Sequence, residues 1–80
     1  KISLPNLKSM DLSGSFEDLA NVFVTTHLPH YNIPSLMLLK FDNNSLSHFG
    51  LTALFSSKNL KQLKILSVAN NKVAKVEDPF

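Results

Sequence analysis

The sequence predicts an α/β fold made of stacked units, each with a short strand, a polar turn, a helix and a return loop. Two observations support this prediction. An eleven-residue pattern occurs three times, at residues 7–17, 36–46 and 63–73, and we call these patterns, each together with the residues that follow it up to the next pattern, copies one, two and three. After the strand of a copy, the spacing of apolar residues changes from alternation to the three- and four-residue spacing of a helix. A unit of this kind cannot bury its apolar side alone, so neighbouring units are expected to stack.

The pattern is complete in copies two and three. Apolar residues occupy its positions one, four, six and eleven, and Asn occupies position nine. The residues are Leu36, Leu39, Phe41, Leu46 and Asn44 in copy two, and Leu63, Leu66, Val68, Val73 and Asn71 in copy three. Copy one departs from the pattern because Ser15 replaces the Asn and Glu17 stands at position eleven. The copies start 29 and then 27 residues apart.

Each copy is expected to open with a short strand, because its apolar residues alternate over only a few positions. The strands are predicted near residues 9–12, 38–41 and 65–68, parallel to one another. Polar turns rich in Asn, Gly and Ser follow each strand, as sharp bends of the backbone require.

Helices are predicted over residues 16–25 and 47–56, with Ser15 and Ser47 as N-caps. The residues of their apolar stripes are Phe16, Leu19, Ala20 and Phe23 in the first helix, and Leu51, Leu54 and Phe55 in the second. A return loop is predicted at residues 26–34, because its two prolines cannot continue a helix.

Gly50 lies inside the second predicted helix, where it costs up to about 1 kcal/mol relative to Ala. Close packing against the preceding copy would explain this glycine. A sequence accident is the alternative, and the sequence leaves both open.

The pattern resembles the signature of the leucine-rich repeat superfamily, L-x-x-L-x-L-x-x-N-x-L, over essentially the whole chain. With a period of 27–29 residues and a helix on the return leg, the units look like the ribonuclease-inhibitor-like branch, or the irregular repeats of F-box proteins and messenger-RNA export receptors. The resemblance implies a curved solenoid with short parallel strands on the concave side and helices on the convex side. It also implies that the signature asparagines turn inward and bond to backbone groups of the neighbouring turn. The residues expected to have structural roles are Asn44, Asn71, Leu39, Phe41, Leu66 and Val68.

If the strands lie parallel, the residues that point away from the core form rows along the concave face. The first row is Ser9, Leu38 and Ile65, the second is Asp11, Lys40 and Ser67, and the third is Ser13, Asp42 and Ala69. Leu38 and Ile65 would then be large apolar side chains with no core behind them, bordered by charges. Such patches often mark contact sites, although scattered surface hydrophobes are normal on any protein.

Because the resemblance implies that this face binds partners, we expect a non-catalytic module that binds another protein. The candidate binding residues are Ser9, Asp11, Leu38, Lys40, Asp42, Ile65 and Ser67.

A second hypothesis is a nucleic-acid-associated adaptor, similar to the messenger-RNA export receptors, that uses the lysine-rich C-terminal end. Five of the eight lysines lie in the last 23 residues, at Lys58, Lys61, Lys64, Lys72 and Lys75. A basic end could meet phosphates. However, the chain has no Arg, and Glu77 and Asp78 follow these lysines, so we prefer to interpret this end as a solvated edge.

The sequence predicts no catalytic site, cofactor or metal. His27 and His30 form H-x-x-H without a further Cys or acid, which makes a poor zinc site. His48 has no acid at a spacing that would complete a nucleophilic set. Asn43 begins an N-glycosylation sequon at residues 43–45, and its use stays open.

Length and composition limit the domain organisation. Eighty residues form one small domain at most, and this chain has no Cys for disulfides or for a zinc cluster. We therefore expect residues 1–80 to be a fragment of a longer solenoid, within a larger chain or complex. The missing Cys also favours an intracellular location, either cytoplasmic or nuclear. The net charge of +2 is too small to indicate nucleic acid, and no signal peptide or membrane-spanning run is present in the sequence. Because copy three stops before a helix is complete, its end at residues 75–80 is expected to be frayed or covered.

Overall fold

The computed structural model describes residues 2–72 and has at its centre a three-stranded parallel sheet with the order β1-β2-β3. The strands are β1 Ser9–Asp11, β2 Leu38–Lys40 and β3 Ile65–Ser67. Each strand begins at its predicted residue and ends one residue earlier than predicted. The register pairs Ser9 with Leu38 and Leu38 with Ile65, so that residues at the same position of the pattern lie side by side. The predictions for Val73, Lys75 and the end of copy three lie outside the described residues.

The first helical stretch is irregular and longer than predicted. Its parts are a 3₁₀ turn Glu17–Leu19, a short α-helix α1 Ala20–Val22, a π turn Phe23–His27 and a second 3₁₀ turn Leu28–His30. The prediction of a regular helix that gives way to a loop after residue 25 is therefore wrong. Pro29 is accommodated because it lies in the first turn of the last segment, where its missing N–H is not needed.

The Thr25 hydroxyl also binds backbone carbonyls in this stretch. It donates to the carbonyl of Asn21 at 2.8 Å and approaches that of Val22 at 3.3 Å. Thr52 and Ser56 make the same bond to carbonyls four residues earlier in the regular helix His48–Ser56, so this bond alone does not account for the irregularity.

The second helix, α2 His48–Ser56, agrees with its predicted range within one residue. Ser47 occupies the N-cap position, but its side chain makes no capping hydrogen bond. Its N–H instead donates to Oδ1 of Asn21 in copy one at 3.1 Å. The predicted cap at Ser15 is also wrong, because the hydroxyl of Ser15 lies 3.5 Å from the carbonyl of Ser13 and no bond joins it to the helical stretch.

Two residues of the predicted apolar stripes are exposed, Leu19 by 63% and Phe55 by 70%. Leu19 lies in the 3₁₀ turn, whose three residues per turn shift it away from the α-helical stripe. Phe55 lines the same cavity as Leu63, on the side of α2 that faces copy three. Within residues 2–72, copy three contributes no helix that would cover it.

Gly50 allows α2 to lie close to copy one. A Cβ at this position would collide with the side chain of Asn21 and come within 2.6 Å of Cδ1 of Leu46. Of the two explanations for Gly50 that the sequence left open, close packing against copy one is therefore present in the structure.

The core is formed by the helical stretch of copy one and by copy two. Its buried apolar residues are Ala20, Phe23, Val24, Leu28, Ile33, Leu36, Leu39, Phe41, Leu46, Leu54 and Leu60. The residues that hold positions one, four and six in the outer copies are only partly buried, namely Leu7, Met10 and Leu12 in copy one and Leu63, Leu66 and Val68 in copy three. The stability of the described chain is therefore concentrated in its middle, where a neighbour covers each side.

Asn44 connects copy two to copy one through hydrogen bonds to the backbone. Its Oδ1 accepts the N–H of Phe16 at 2.9 Å, and its Nδ2 donates to the carbonyl of Leu12 at 3.1 Å. The same Nδ2 lies 3.3 Å from the carbonyls of Phe41 and Asp42 within its own turn. One buried amide thus satisfies backbone groups of two successive turns.

Asn71 repeats this arrangement one copy later. Its Oδ1 accepts the N–H of Leu46 at 2.9 Å, and its Nδ2 donates to the carbonyls of Phe41 and Val68 at 3.0 Å. Both asparagines therefore hold neighbouring copies together through the backbone.

The residue before position nine has a left-handed backbone in every copy, with φ of +67° at Gly14, +57° at Asn43 and +58° at Asn70. Gly and Asn are the residue types that adopt this conformation at least cost. The Gly or Asn found before position nine in each turn is therefore explained by the left-handed backbone that this position requires.

A further tight turn precedes each strand, closed by bonds from the N–H of Leu7, Leu36 and Leu63 to carbonyls three residues earlier. These turns are also bonded to each other. The Ser35 hydroxyl donates to the carbonyl of Pro5 at 2.7 Å, and Nε2 of Gln62 donates to that of Ile33 at 2.9 Å. Neighbouring copies are therefore joined before the strands, along them and after them.

Candidate partner-binding face

The outward side of the sheet brings all seven candidate binding residues together. We call this surface the strand face: Ser9, Asp11, Leu38, Lys40, Asp42, Ile65 and Ser67. Six of them lie in the three strands and are side-by-side partners in the parallel register. The residues between them, Met10, Leu39 and Leu66, pack against the core instead. The alternation of a strand separates the two sets.

The apolar part of the strand face consists of Leu38 and Ile65. Ile65 is 58% exposed and Leu38 is partly buried, and the two residues are partners in the register. Met37, directly before Leu38, adds a further apolar side chain that is 39% exposed. Met37 was not among the residues predicted for the face, because it precedes the strand. It occupies position two of the pattern, where the other two copies have exposed lysines, Lys8 and Lys64, and this equivalence is visible in the sequence.

Asp11 is an exposed carboxylate at the end of β1. Its Oδ1 accepts the N–H of Ser13 at 3.0 Å. This backbone hydrogen bond lowers the pKa of Asp11, and a hydrogen bond with the Ser13 side chain lowers it further. Desolvation raises the pKa slightly, and the positive charge of Lys40 lowers it slightly. Lys40 is the register partner of Asp11, as the row predicted from the sequence requires.

Asp42 has a structural role that the sequence did not reveal. Its Oδ1 accepts the hydroxyl of Ser67 at 2.7 Å and the N–H of Ala69 at 2.8 Å. Its own N–H donates to the hydroxyl oxygen of Ser13 at 3.0 Å. The carboxylate therefore has a fixed position on the strand face and connects copy two to copy three.

Three of the lysines near the C-terminal end line two neighbouring cavities. Lys58 lines an open groove of about 550 Å³ between the first helical stretch and α2. Lys61 and Lys64 line a different cavity, beside β3. Lys75 lies outside the described residues, so the five lysines cannot be assigned to a single basic patch.

The three histidines and the asparagine of the sequon are exposed. His27 and His30 line a small cavity with Ile2, Phe23 and Tyr31. The described part of the chain contains no group of three or more His, Cys, Asp or Glu side chains that could hold a metal ion. Asn43 is exposed on its left-handed turn.

Comparison with protein-family models, with curated proteins and with solved structures finds no match to this chain. The relationship to leucine-rich repeats and the function that it implies therefore stay predictions. Among residues 2–72, no helix has both the length and the apolar character needed to cross a membrane.

Proposed function

We propose that this chain is a leucine-rich repeat segment, with repeats starting near Leu7, Leu36 and Leu63, that binds a partner protein through its strand face. The module is non-catalytic and needs no cofactor. It acts inside the cell, in the cytoplasm or the nucleus, as part of a larger chain or assembly.

The observation that carries this proposal is the pairing of Leu38 and Ile65 on the outward side of the sheet. The contact between two adjacent exposed apolar side chains contributes little free energy in water. Their burial against a partner removes apolar surface from solvent, which favours binding. The polar residues around them suit the rim of an interface, which stays accessible to water. The backbone beneath is fixed on both sides by the inter-copy hydrogen bonds, so that little ordering is needed on binding.

Affinity enrichment from an intracellular extract, with the chain immobilised, tests the proposal. We expect specific proteins to bind the wild-type chain and to be lost from the double variant Leu38→Ala/Ile65→Ala. Phe49→Ala is the matched control, because Phe49 is an apolar residue on α2 that is exposed by 67%, compared with 58% for Ile65. This control should retain the bound proteins.

The same experiment separates protein binding from nucleic-acid binding. A contact driven by phosphates weakens steeply as salt rises and is removed by nuclease, whereas an apolar contact is not. Binding that survives the double variant but is lost with Phe49→Ala would contradict the proposal, as would binding that depends on nucleic acid.

A further inference from the structure

The strand face has charged residues at two opposite edges. The amino-terminal edge consists of Lys8, Met37 and Lys64, the residues that directly precede the first row of the face. The carbonyl of Lys8 accepts the N–H groups of Met37 and Leu38, and the carbonyl of Met37 accepts those of Lys64 and Ile65. These shared bonds hold the three residues side by side. Both lysines are exposed, so this edge is cationic.

The carboxyl-terminal edge contains Asp11 and Asp42 as well as Lys40, the register partner of Asp11, so it has one net negative charge. Each carboxylate is bonded through Oδ1 to groups of the protein itself. Among the described residues, no hydrogen bond reaches Oδ2 of Asp42. Asp42 is thus fixed in place with one oxygen left for a cationic group of a partner, and the carboxylate of Asp11 is exposed.

The distance between the edges limits what fits there. Lys8 lies three residues before Asp11 along the chain, and a strand rises by roughly 3.3 Å per residue, so the two edges are about 10 Å apart. Asp42, five residues after Met37, lies about 16 Å from that edge by the same rise. An α-helix with its side chains is about 10–12 Å across. One helix lying across the strands therefore covers the apolar row and spans the distance from Lys8 to Asp11, whereas Asp42 lies about 4–6 Å beyond its width and is reached by a long basic side chain.

We propose that the strand face receives an amphipathic helix of a partner protein with three features. Apolar side chains of this helix cover Leu38 and Ile65, acidic side chains lie along the edge of Lys8 and Lys64, and basic side chains lie along the edge of the two aspartates. The inference rests on the proposed function and adds the chemistry of the partner. Opposite charges on the two flanks of one apolar stripe distinguish this helix from a uniformly acidic or basic one.

A displayed library of helical peptides tests the charge pattern. Every peptide has the same leucine stripe, and its two flanks carry all combinations of Glu, Lys and Ser. Selection on the wild-type 80-residue chain should enrich peptides with Glu on one flank and Lys on the other. Peptides with two like-charged flanks should bind roughly 2- to 30-fold more weakly, since two exposed ion pairs are lost.

Two pairs of variants assign each flank to its edge. Asp11→Asn/Asp42→Asn keeps the Oδ1 acceptors and removes only the charges, so the preference for Lys should disappear while that for Glu remains. Lys8→Met/Lys64→Met keeps the length of the side chains and should have the opposite effect. Circular dichroism verifies that all variants are folded.

The outcomes separate this inference from the proposed function. Selected peptides that lose binding with Leu38→Ala/Ile65→Ala but show no opposite charges on their flanks would overturn the helix proposal and leave the binding face intact. Failure of the library to yield any binder would also overturn it. Peptides that bind equally well to Leu38→Ala/Ile65→Ala would contradict the proposed function itself.

Discussion

Leu39→Ala should destabilise the protein more than Leu66→Ala, and much more than Ile65→Ala. Leu39 is fully buried between its register partners Met10 and Leu66. Leu66 holds the same position of the pattern but is only partly buried. Ile65 is 58% exposed on the other side of the strand. The three residues thus form a series in which the degree of burial sets the cost of truncation.

The magnitudes follow from these degrees of burial. Truncation of a buried Leu typically costs about 2–5 kcal/mol, including the cavity that remains. Leu66, which is partly buried, should lose less than Leu39, since less apolar area is returned to water. Ile65→Ala should cost less than about 1 kcal/mol. Domains are stable by only about 5–15 kcal/mol, so Leu39→Ala leaves the protein close to unfolding.

Urea denaturation followed by circular dichroism measures the series. The urea concentration at the midpoint should be highest for Ile65→Ala, lower for Leu66→Ala and lowest for Leu39→Ala. The slope of the unfolding free energy against urea concentration should be the same for all three. In thermal melts, each kcal/mol should correspond to about 4–8 °C. Equal losses for Ile65→Ala and Leu39→Ala would refute the assignment of the two sides of the sheet, and the strand face with it.

Three further predictions concern single side chains. Asn44→Ala should cost about 2–4 kcal/mol in urea denaturation, because it leaves buried backbone groups of two turns unpaired, whereas Ser45→Ala beside it should change stability by less than about 0.5 kcal/mol. Gly50→Ala should destabilise the protein despite the better helix propensity of Ala, because its Cβ displaces the Asn21 side chain. In an Asn21→Ala background the loss of stability should be smaller, and an equal loss in both backgrounds would exclude this clash. The pKa of Asp11 is lowered from its ordinary value of 3.8, so its carboxylate stabilises the fold above that value and the stabilisation is lost as the pH falls through the folded pKa. Melts of wild type and Asp11→Asn should therefore differ at neutral pH and converge in acid, and a difference independent of pH would contradict this origin.

Much of the sheet could be predicted from the sequence, because alternation assigns each strand residue to one of two sides. Leu38 and Leu39 illustrate this, since one is on the strand face and the other in the core. The pattern gives Leu39 and Leu66 identical roles, however, and their burial differs. That difference depends on the place of a copy in the stack, which no local pattern contains.

The irregular helical stretch and the inter-copy bonds could not be predicted. The spacing of apolar residues assumes a regular helix, and it fails over the 3₁₀ and π turns of residues 17–30. The bond between Asp42 and Ser67 joins residues 25 positions apart, so neither residue alone indicates it. Asp42 was recognised as a face residue, but its role in holding that face in place depends on the fold.

The bonds that join neighbouring copies also set the order in which the molecule opens. β2 has a partner strand on both sides, whereas β1 and β3 each have one among the described residues. Exchange of the β2 amide hydrogens with solvent deuterium requires contacts with two neighbours to break, while an outer strand detaches after losing one. Copies one and three should therefore exchange first and copy two last. Folding should begin with two adjacent copies, because the loop that joins them is the shortest that brings two strands together.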